Sequence, residues 1–246
     1  MLTQEQVKFL CYVSDLELKK HNNIPYGVYK KETTYKDVLV PYNEFKKLMG
    51  LEDPRLHWLL SYNGFMAGGA VLAWLLQDDS GNDIDFFFRN KDAANSFSLF
   101  IGQYDFVETN DTTYAKTYFN YEESVILQVV GGGEAENKKL HDGTAVSLFG
   151  SPMEIINNFD ISVCKFAVDC DNFYSNRNAI ADLITRTLHL NIEKNTSGFF
   201  NTVKSMFGSK GNMTLPYVER VLKYHRKGFY IPKPQGLQYD PNTDSW

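Results

Sequence analysis

A pair of adjacent glycines, Gly68 and Gly69, constrains the fold of this chain more than any other local feature. Before the pair, residues 64–67 form a short apolar run that favours a buried strand. After it, residues 70–76 are apolar on every side and rich in helix-forming types. Glycine has no Cβ and therefore tolerates the sharp bend between two such elements. The sequence predicts a strand, a glycine turn and a buried helix in immediate succession.

The next strand carries two acidic side chains at alternate positions. Residues 83–88 begin with Asp83, Ile84 and Asp85 and continue with three phenylalanines, a composition typical of strands. Alternate residues of a strand share one face and lie about 6.7 Å apart, so we expect both aspartates on one side and Ile84 in the core. Two carboxylates placed in this way raise each other's pKa unless cations are present. Alone, the pattern also occurs in acidic strands and turns that bind nothing.

The spacing between the glycine pair and the aspartates favours a shared site. Asp83 follows Gly69 by 14 residues, and the intervening helix would present its N-terminal amides to a phosphate group. A glycine pair by itself most often serves a tight turn. Together, the two elements predict a triphosphate held by the glycines and two Mg²⁺ ions held by the aspartates, about 3.5–4 Å apart as in two-metal phosphoryl transfer.

Charge is distributed unevenly along the 246 residues. Residues 78–171 carry 17 acidic and 6 basic side chains, whereas residues 186–246 carry 4 acidic and 9 basic ones. This segregation suits an acidic centre that recruits divalent cations beside a basic surface that meets polyanions. It equally suits a solvated acidic middle and a basic tail.

The cellular location follows from features that the sequence lacks. The longest apolar run, residues 65–76, has 12 residues, fewer than the ~20 of a membrane helix. The first ten residues show no basic segment followed by an apolar run, the pattern of a signal peptide. The three cysteines have no zinc-ligand spacing. We expect a reduced, cytoplasmic protein that binds no membrane.

A helix near the end of the chain carries several basic side chains. Arg220, Lys223 and Lys227 recur at helical spacing and form one stripe, and Arg226 lies nearby. Such a stripe could contact a triphosphate or an RNA backbone. It could also be the solvated face of an amphipathic helix.

Four segments, in this order, resemble a known family. Residues 68–71 (GGAV), 82–86 (NDIDF) and 159–163 (FDISV) are similar to motifs of the polymerase-beta-like nucleotidyltransferase superfamily. The nearest likeness is the head domain of bacterial-type tRNA nucleotidyltransferases and poly(A) polymerases, with its GGAVRD, DxD and RRDFTIN motifs. Residues 220–229 (RVLKYHRKGF) resemble the RxLRAxRFAxxxGF helix of that group.

The resemblance implies an α+β fold. We expect a short mixed, mostly antiparallel sheet with helices packed on one face, preceded by a helical appendage. In this interpretation residues 1–60 form the N-terminal helical appendage and residues 61–175 the nucleotidyltransferase core. Within the appendage, the sequence predicts helices over residues 4–20 and 42–49, the second ended by Gly50. Residues 176–246 form a C-terminal helical and basic segment with an extended tail.

The resemblance also implies roles for individual residues. Gly68 and Gly69 would hold the phosphates, and Asp83 and Asp85 would bind the metal ions and make the site catalytic. Asp160 stands where the family has the aspartate of RRDFTIN. It would supply a third catalytic, metal-binding carboxylate or hold the hinge below the nucleotide pocket, and an N-cap or turn role is the alternative. Arg220, Lys223 and Arg226 on the late helix are the remaining candidates for nucleotide binding.

Several positions depart from the family pattern. Leu72 and Ala73 replace the Arg-Asp that follows GGAV, and Asn158 and Phe159 replace the paired arginines before the aspartate. In other branches a third carboxylate lies on a later strand, where this chain has Gln128. An EDxxR element, which templates C and A in CCA-adding enzymes, is absent from the sequence, so we do not expect CCA addition.

The expected activity is Mg²⁺- or Mn²⁺-dependent transfer of a nucleoside monophosphate from an NTP to an acceptor hydroxyl, with release of pyrophosphate. An RNA 3′ end, including that of tRNA, is the favoured acceptor, and a protein or a small molecule remains open. The main alternative is a catalytically inactive module that binds nucleotide or RNA as a regulatory or interaction protein. A metal-dependent phosphoesterase is less favoured, because no histidine lies near either aspartate motif in the sequence.

Overall fold

An α+β architecture built on a large twisted sheet emerges from the computed structural model of the chain. The structure describes six stretches of the chain, namely residues 2–21, 24–29, 36–78, 83–139, 145–189 and 215–230. The helices are α1 Gln4–Ser14, α2 Tyr42–Met49, α3 Leu56–Leu60, α4 Gly69–Leu76, α5 Lys91–Ile101, α6 Pro152–Asn157, α7 Arg177–Thr185 and α8 Leu215–Arg226. The strands are β1 Glu17–His21, β2 Ile24–Tyr29, β3 Asp37–Pro41, β4 Gly64–Ala67, β5 Ile84–Phe88, β6 Phe106–Asp111, β7 Ala115–Asn120, β8 Val125–Val130, β9 Asn137–Lys139, β10 Ala145–Ser147, β11 Phe166–Val168 and β12 Asn172–Asn176.

Within the described residues the main sheet has eight strands in the order β3-β12-β11-β4-β5-β8-β7-β6. Every neighbouring pair is antiparallel except β5 and β8, which are parallel. The chain leaves β5 through α5, runs out to the edge strand β6 and returns through β7 and β8. The mixed, mostly antiparallel sheet that the sequence predicted is therefore confirmed.

Successive side chains of the strands point to opposite faces of the sheet, and each face carries its own hydrophobic core. Met66 and Phe86 belong to the larger core beneath most of the helices, and their strand neighbours Phe65 and Phe87 belong to a smaller core. The smaller core is covered by α6, through Ile155 among others. Most helices thus pack on one face of the sheet, as predicted, and the short helix α6 packs on part of the opposite face.

The first helix is shorter than predicted. We expected it to extend over residues 4–20, but α1 ends at Ser14 because Asp15 adopts a left-handed conformation with φ 57° and closes the helix. Thr3 caps its start with a capping box to Gln6. The apolar residues that continue the helical spacing, including Leu16, belong to the chain leading into β1.

Residues 1–60 contain strands as well as the predicted helices. β1 and β2 form an antiparallel hairpin, and β3 pairs with β12 at one edge of the main sheet. The pairing of β3 joins this segment to residues more than a hundred positions later, a long-range contact that local periodicity does not report. The division of the chain at residues 60 and 175 stays a prediction. The predicted extended tail, residues 231–246, lies outside the described residues.

Other predicted elements agree closely with the structure. α2 spans the predicted residues and ends where Gly50 takes a left-handed conformation with φ 67°. β4 and α4 form the predicted strand, glycine turn and buried helix. Among the described helices, none has the length and apolar character needed to cross a membrane. The cytoplasmic location stays a prediction.

Candidate functional site

The glycine turn links β4 to the first residue of α4. Gly68 adopts φ 81° and ψ −137°, a backbone conformation that side chains other than glycine rarely take. Its amide donates to the carbonyl of Phe166 over 3.0 Å, and its own carbonyl accepts from the amide of Leu72 over 3.1 Å. These bonds anchor the turn to β11 and to the helix. The amides in the first turn of α4 have no acceptor within the helix and can therefore serve an anion.

The Asp85 carboxylate faces the glycine turn. A Cβ placed on Gly68 would lie 3.9 Å from Oδ2 of Asp85 and 3.5 Å from Cε2 of Phe159. The carboxylate and the aromatic ring therefore border the same small space in front of the turn. Glycine at this position both permits the backbone conformation and leaves that space open for a ligand.

The alternation predicted for β5 is confirmed. Ile84 is buried in the larger core, Asp83 is exposed and Asp85 is half-buried. Both aspartates lie on the face of the sheet opposite the larger core, which we call the open face. The side chains predicted to act together thus lie on the same side of one strand.

Gln128 lies beside the aspartates on the neighbouring strand. β8 runs parallel to β5 with Gln128 opposite Asp85, and its side-chain Nε2 donates to Oδ2 of Asp83 over 3.4 Å. An amide therefore stands at the strand position where the family resemblance led us to look for a third carboxylate. An amide contributes no negative charge, and here it directs a donor towards the carboxylate.

Asp160 follows α6 and is half-buried. Its neighbour Phe159 packs against Phe87 with ring centroids 5.8 Å apart and reaches the glycine turn, as described above. The described residues contain no group of three or more histidine, cysteine, aspartate or glutamate side chains placed to hold a metal ion. The structure brings Phe159 to the site, and it does not group Asp160 with Asp83 and Asp85.

The donor set fits one type of cation better than others. Mg²⁺ prefers oxygen ligands and is commonly held by one or two carboxylates, with water and substrate phosphates completing its shell. Asp83 and Asp85 supply two carboxylates on one face, and the Gly68 turn lies beside Asp85. The residues present therefore fit a Mg²⁺ ion that arrives with a nucleotide.

Helix α8 packs directly on the glycine turn. Tyr224 is buried, its hydroxyl accepts a hydrogen bond from Sγ of Cys164 over 2.9 Å, and it would lie 3.4 Å from a Cβ on Gly69. Val221, one turn earlier, is also buried in the larger core. The sequence analysis assigned no role to Tyr224 and missed this contact. The only signal was its position inside the segment that resembles the family's late helix.

The basic side chains of α8 have different environments. Lys223 and Arg226 are exposed, and the Lys227 ammonium pairs with Asp78 over 2.5 Å at the far end of α4. Arg220 lies on α8, and its side chain is outside the described residues. Lys223 and Arg226 are thus accessible to solvent, whereas the Lys227 side chain is held in an ion pair with Asp78.

The fold is that of nucleotidyltransferase-like proteins. The structure of a CCA-adding enzyme in apo form II is similar to this chain at a TM-score of 0.50 and 13% identity, over 79% of this chain and 45% of that one. A CCA-adding enzyme complexed with CTP shows a TM-score of 0.49 and 13% identity, over 79% and 44% of the two chains. The Thermotoga maritima CCA-adding enzyme complexed with tRNA shows 0.47 and 12%, over 79% and 43%. The chain spans less than half the length of these enzymes.

The family is established by sequence. The model of the Gabija anti-defense 2 family matches residues 40–186, which is more than half of the chain. The protein therefore belongs to the Gabija anti-defense 2 family. A search of curated proteins by sequence found no match.

Proposed function

We propose that the protein transfers a nucleoside monophosphate from an NTP to an acceptor hydroxyl. The observation that carries the proposal is the position of the Asp85 carboxylate, within 4 Å of the space that Gly68 leaves open and on the same face as Asp83. A glycine turn at a helix start and two carboxylates on one face suit a triphosphate and its cation. The nucleotidyltransferase-like fold supports the same reaction class.

In the proposed reaction, the acceptor oxygen forms a bond to the α-phosphorus of the NTP. The bond between that phosphorus and the oxygen bridging to the β-phosphate breaks, pyrophosphate leaves, and the hydroxyl proton is lost to water. Gly68, Gly69 and the first amides of α4 hold the β- and γ-phosphates. Asp83 and Asp85 hold Mg²⁺ or Mn²⁺, which when bound neutralises charge on the phosphates. The protein contributes chiefly positioning and charge neutralisation.

The remaining predicted residues have supporting roles in this proposal. Arg220, Lys223 and Arg226 contact the triphosphate or the acceptor from α8, which reaches the turn through Tyr224. Asp160, which the structure does not group with Asp83 and Asp85, positions the neighbouring Phe159 ring at the pocket. We further propose that this transfer is how a member of the Gabija anti-defense 2 family acts against the defence named Gabija.

One observation favours a second candidate function. Gln128 donates to Asp83 where a third carboxylate was expected, so the site has one negative charge fewer for a second cation. A nucleotidyltransferase-like module with this site would bind nucleotide or RNA without transferring it. Interference with the defence would then depend on binding alone.

Labelled nucleotides distinguish the two functions. The purified chain is incubated with each α-³²P-labelled NTP, Mg²⁺ or Mn²⁺, and total cellular RNA and protein, and the products are resolved on denaturing gels. We expect label in a discrete product that disappears in Asp83→Asn and Asp85→Asn. Asp92→Asn, an exposed carboxylate on α5, is the matched control and should retain transfer.

Two results would contradict the proposal, the first for its site and the second for its reaction. Undiminished labelling in both aspartate variants would show that these carboxylates are not the site. Absence of label in every product, together with Mg²⁺-dependent NTP binding in equilibrium dialysis, would establish the binding module instead. Circular dichroism of each variant confirms that the fold is intact.

A further inference from the structure

An exposed apolar row crosses the open face of the sheet next to the carboxylates. Ile126 on β8 lies opposite Phe119 on β7, which lies opposite Val107 on β6. Val107 is 51% exposed, Ile126 is 36% exposed and Phe119 is half-buried. We call these three residues the apolar row. Three adjacent strands therefore present apolar side chains to solvent on a single line.

The row lies on the same face as the proposed catalytic aspartates. Ile84, Leu127 and Tyr118 are register partners across β5, β8 and β7, and all three are buried in the larger core. Side chains alternate between the two faces of a strand. Asp83, Ile126 and Phe119 precede or follow these core residues and therefore face the opposite, open side.

The row begins beside Asp83 and extends away from it. Adjacent strands lie about 4.8 Å apart, so Ile126 is one strand from Asp83, Phe119 is about 10 Å away and Val107 about 14 Å away along the sheet. The contact between Gln128 and Asp83 fixes β8 against the site. A molecule lying along the row would place one end at the carboxylates.

An exposed aromatic residue extends the row at the β7–β8 turn. Tyr121 is 68% exposed and packs edge-on against Phe119, with ring centroids 4.7 Å apart and planes at 89°. Exposed apolar groups are common singly but mark interaction sites when they are contiguous. The row and Tyr121 together form such a contiguous surface.

Acidic side chains lie beside the row. Asp83 and Asp85 lie at its β5 end on the same face, whereas Lys116 pairs with Glu108 over 3.3 Å and with Asp111 over 3.7 Å on the opposite face, which Tyr118 shares. Glu122 and Glu123 are exposed in the turn beside Tyr121 and form no ion pair with any described residue. These four carboxylates, of Asp83, Asp85, Glu122 and Glu123, disfavour a polyanion along the row and favour a cationic partner.

We infer that the acceptor in the proposed transfer is a basic polypeptide segment bound along the apolar row. Its apolar side chains contact Ile126, Phe119 and Val107, its lysines or arginines face Glu122 and Glu123, and a serine, threonine or tyrosine hydroxyl lies at Asp83. The inference rests on the proposed function and names the acceptor class for it.

An RNA acceptor fits this surface less well than a polypeptide. Sequence-independent binding of single strands needs a positive groove for the backbone in addition to stacking aromatics. The accessible basic side chains Lys223 and Arg226 lie on α8, whose buried residues pack into the core on the other side of the sheet. In the proposed function these side chains serve the triphosphate, and their helix lies on the other side of the sheet from a strand running over β6 and β7.

Peptide binding tests the inference independently of catalysis. A fluorescent synthetic peptide of lysine and leucine with one serine, an analogue with glutamate in place of lysine, and an oligouridine RNA are titrated with the full chain by anisotropy. We expect the basic peptide to bind most tightly. Ile126→Ser and the double variant Glu122→Gln/Glu123→Gln should each weaken it by about fivefold. The matched control Glu5→Gln/Glu44→Gln makes the same charge change on α1 and α2, where both residues are exposed, and should bind normally.

Other outcomes overturn the polypeptide acceptor. These are equal binding of the basic and acidic peptides, no response to the row and turn variants, or tighter RNA binding that those variants weaken. If Mg²⁺ and NTP then label RNA but not the serine peptide, and Asp85→Asn abolishes the label, the transfer proposal stands while the acceptor inference fails. If no acceptor is labelled but the peptide binds as expected, the transfer proposal fails and the row remains a peptide surface.

Discussion

Replacing Gly68 with alanine should destabilise the protein through its backbone and not through a clash. The added Cβ would meet its nearest neighbours at 3.5 Å, in the Phe159 ring, and at 3.9 Å, at Asp85 Oδ2. Both are ordinary van der Waals distances, so packing tolerates the methyl group. The φ of 81° and ψ of −137° at Gly68 lie in a region that an alanine occupies only under strain. Such strain costs of the order of 1–3 kcal/mol.

Gly69→Ala provides a matched comparison one residue away. Gly69 begins α4 without a positive φ, and its added Cβ would approach only the Tyr224 hydroxyl, at 3.4 Å. Alanine is the better helix former by up to about 1 kcal/mol, so this variant should be as stable as the wild type or slightly more stable.

Urea denaturation followed by circular dichroism measures both variants against the wild type. We expect Gly68→Ala to lower the free energy of unfolding by about 2 kcal/mol. Gly69→Ala should leave the free energy of unfolding almost unchanged. The methyl group at position 68 also occupies the space before Asp85, so Mg²⁺-dependent NTP affinity should fall in this variant. Equal stability of the two alanine variants would refute the conformational argument for the turn.

Three further predictions concern other parts of the fold. Gly133→Ala would place a Cβ 2.1 Å from the carbonyl oxygen of Thr112, and the forced backbone shift should cost about 3 kcal/mol in urea denaturation. Hydrogen bonds from the Ser151 amide and hydroxyl lower the pKa of Glu154 from its ordinary 4.5, so its stabilising effect exists above that pH and is lost as pH falls through the lowered pKa. The melting temperature of Glu154→Gln should therefore lie below that of the wild type at about pH 7 and approach it as the pH falls below 4.5 and through the lowered pKa; a constant difference would contradict this. Burial raises the pKa of Cys11 to about 11, so iodoacetamide at about pH 8 should label this thiol far more slowly in the native than in the unfolded chain, as measured by peptide mass spectrometry.

The parts of the site that could be predicted from the sequence depend only on residues that are close together along the chain. The turn at Gly68 needs only an apolar strand before it and a helix after it, and the alternation of Asp83 and Asp85 needs only the geometry of one strand. In the same way, the end of α2 follows from one left-handed glycine at position 50. Each of these features is local, so the chain itself carries the complete signal.

The features that escaped prediction are contacts between distant segments. Gln128 could be named from the family resemblance, but its hydrogen bond to Asp83, 45 residues away, depends on the register of β5 and β8. The Phe159 ring and the Tyr224 hydroxyl meet the glycine turn only because α6 and α8 pack on opposite sides of the sheet. The edge strand β3 likewise depends on pairing with β12. No periodicity within a segment reports such partners.

The order of the strands keeps the hairpin of β6 and β7 apart from the strand that holds the aspartates. β5 carries the aspartates between β4 and β8, whereas β6 and β7 form an outer hairpin that enters from α5 and returns to β8. Within the described sheet β6 pairs with β7 alone, so substitutions or length changes there leave the strands that hold Asp83 and Asp85 paired as before. Under the proposed function, selection for a new acceptor can therefore change the sequence of the outer hairpin, while the inner strands that hold Asp83 and Asp85 are conserved.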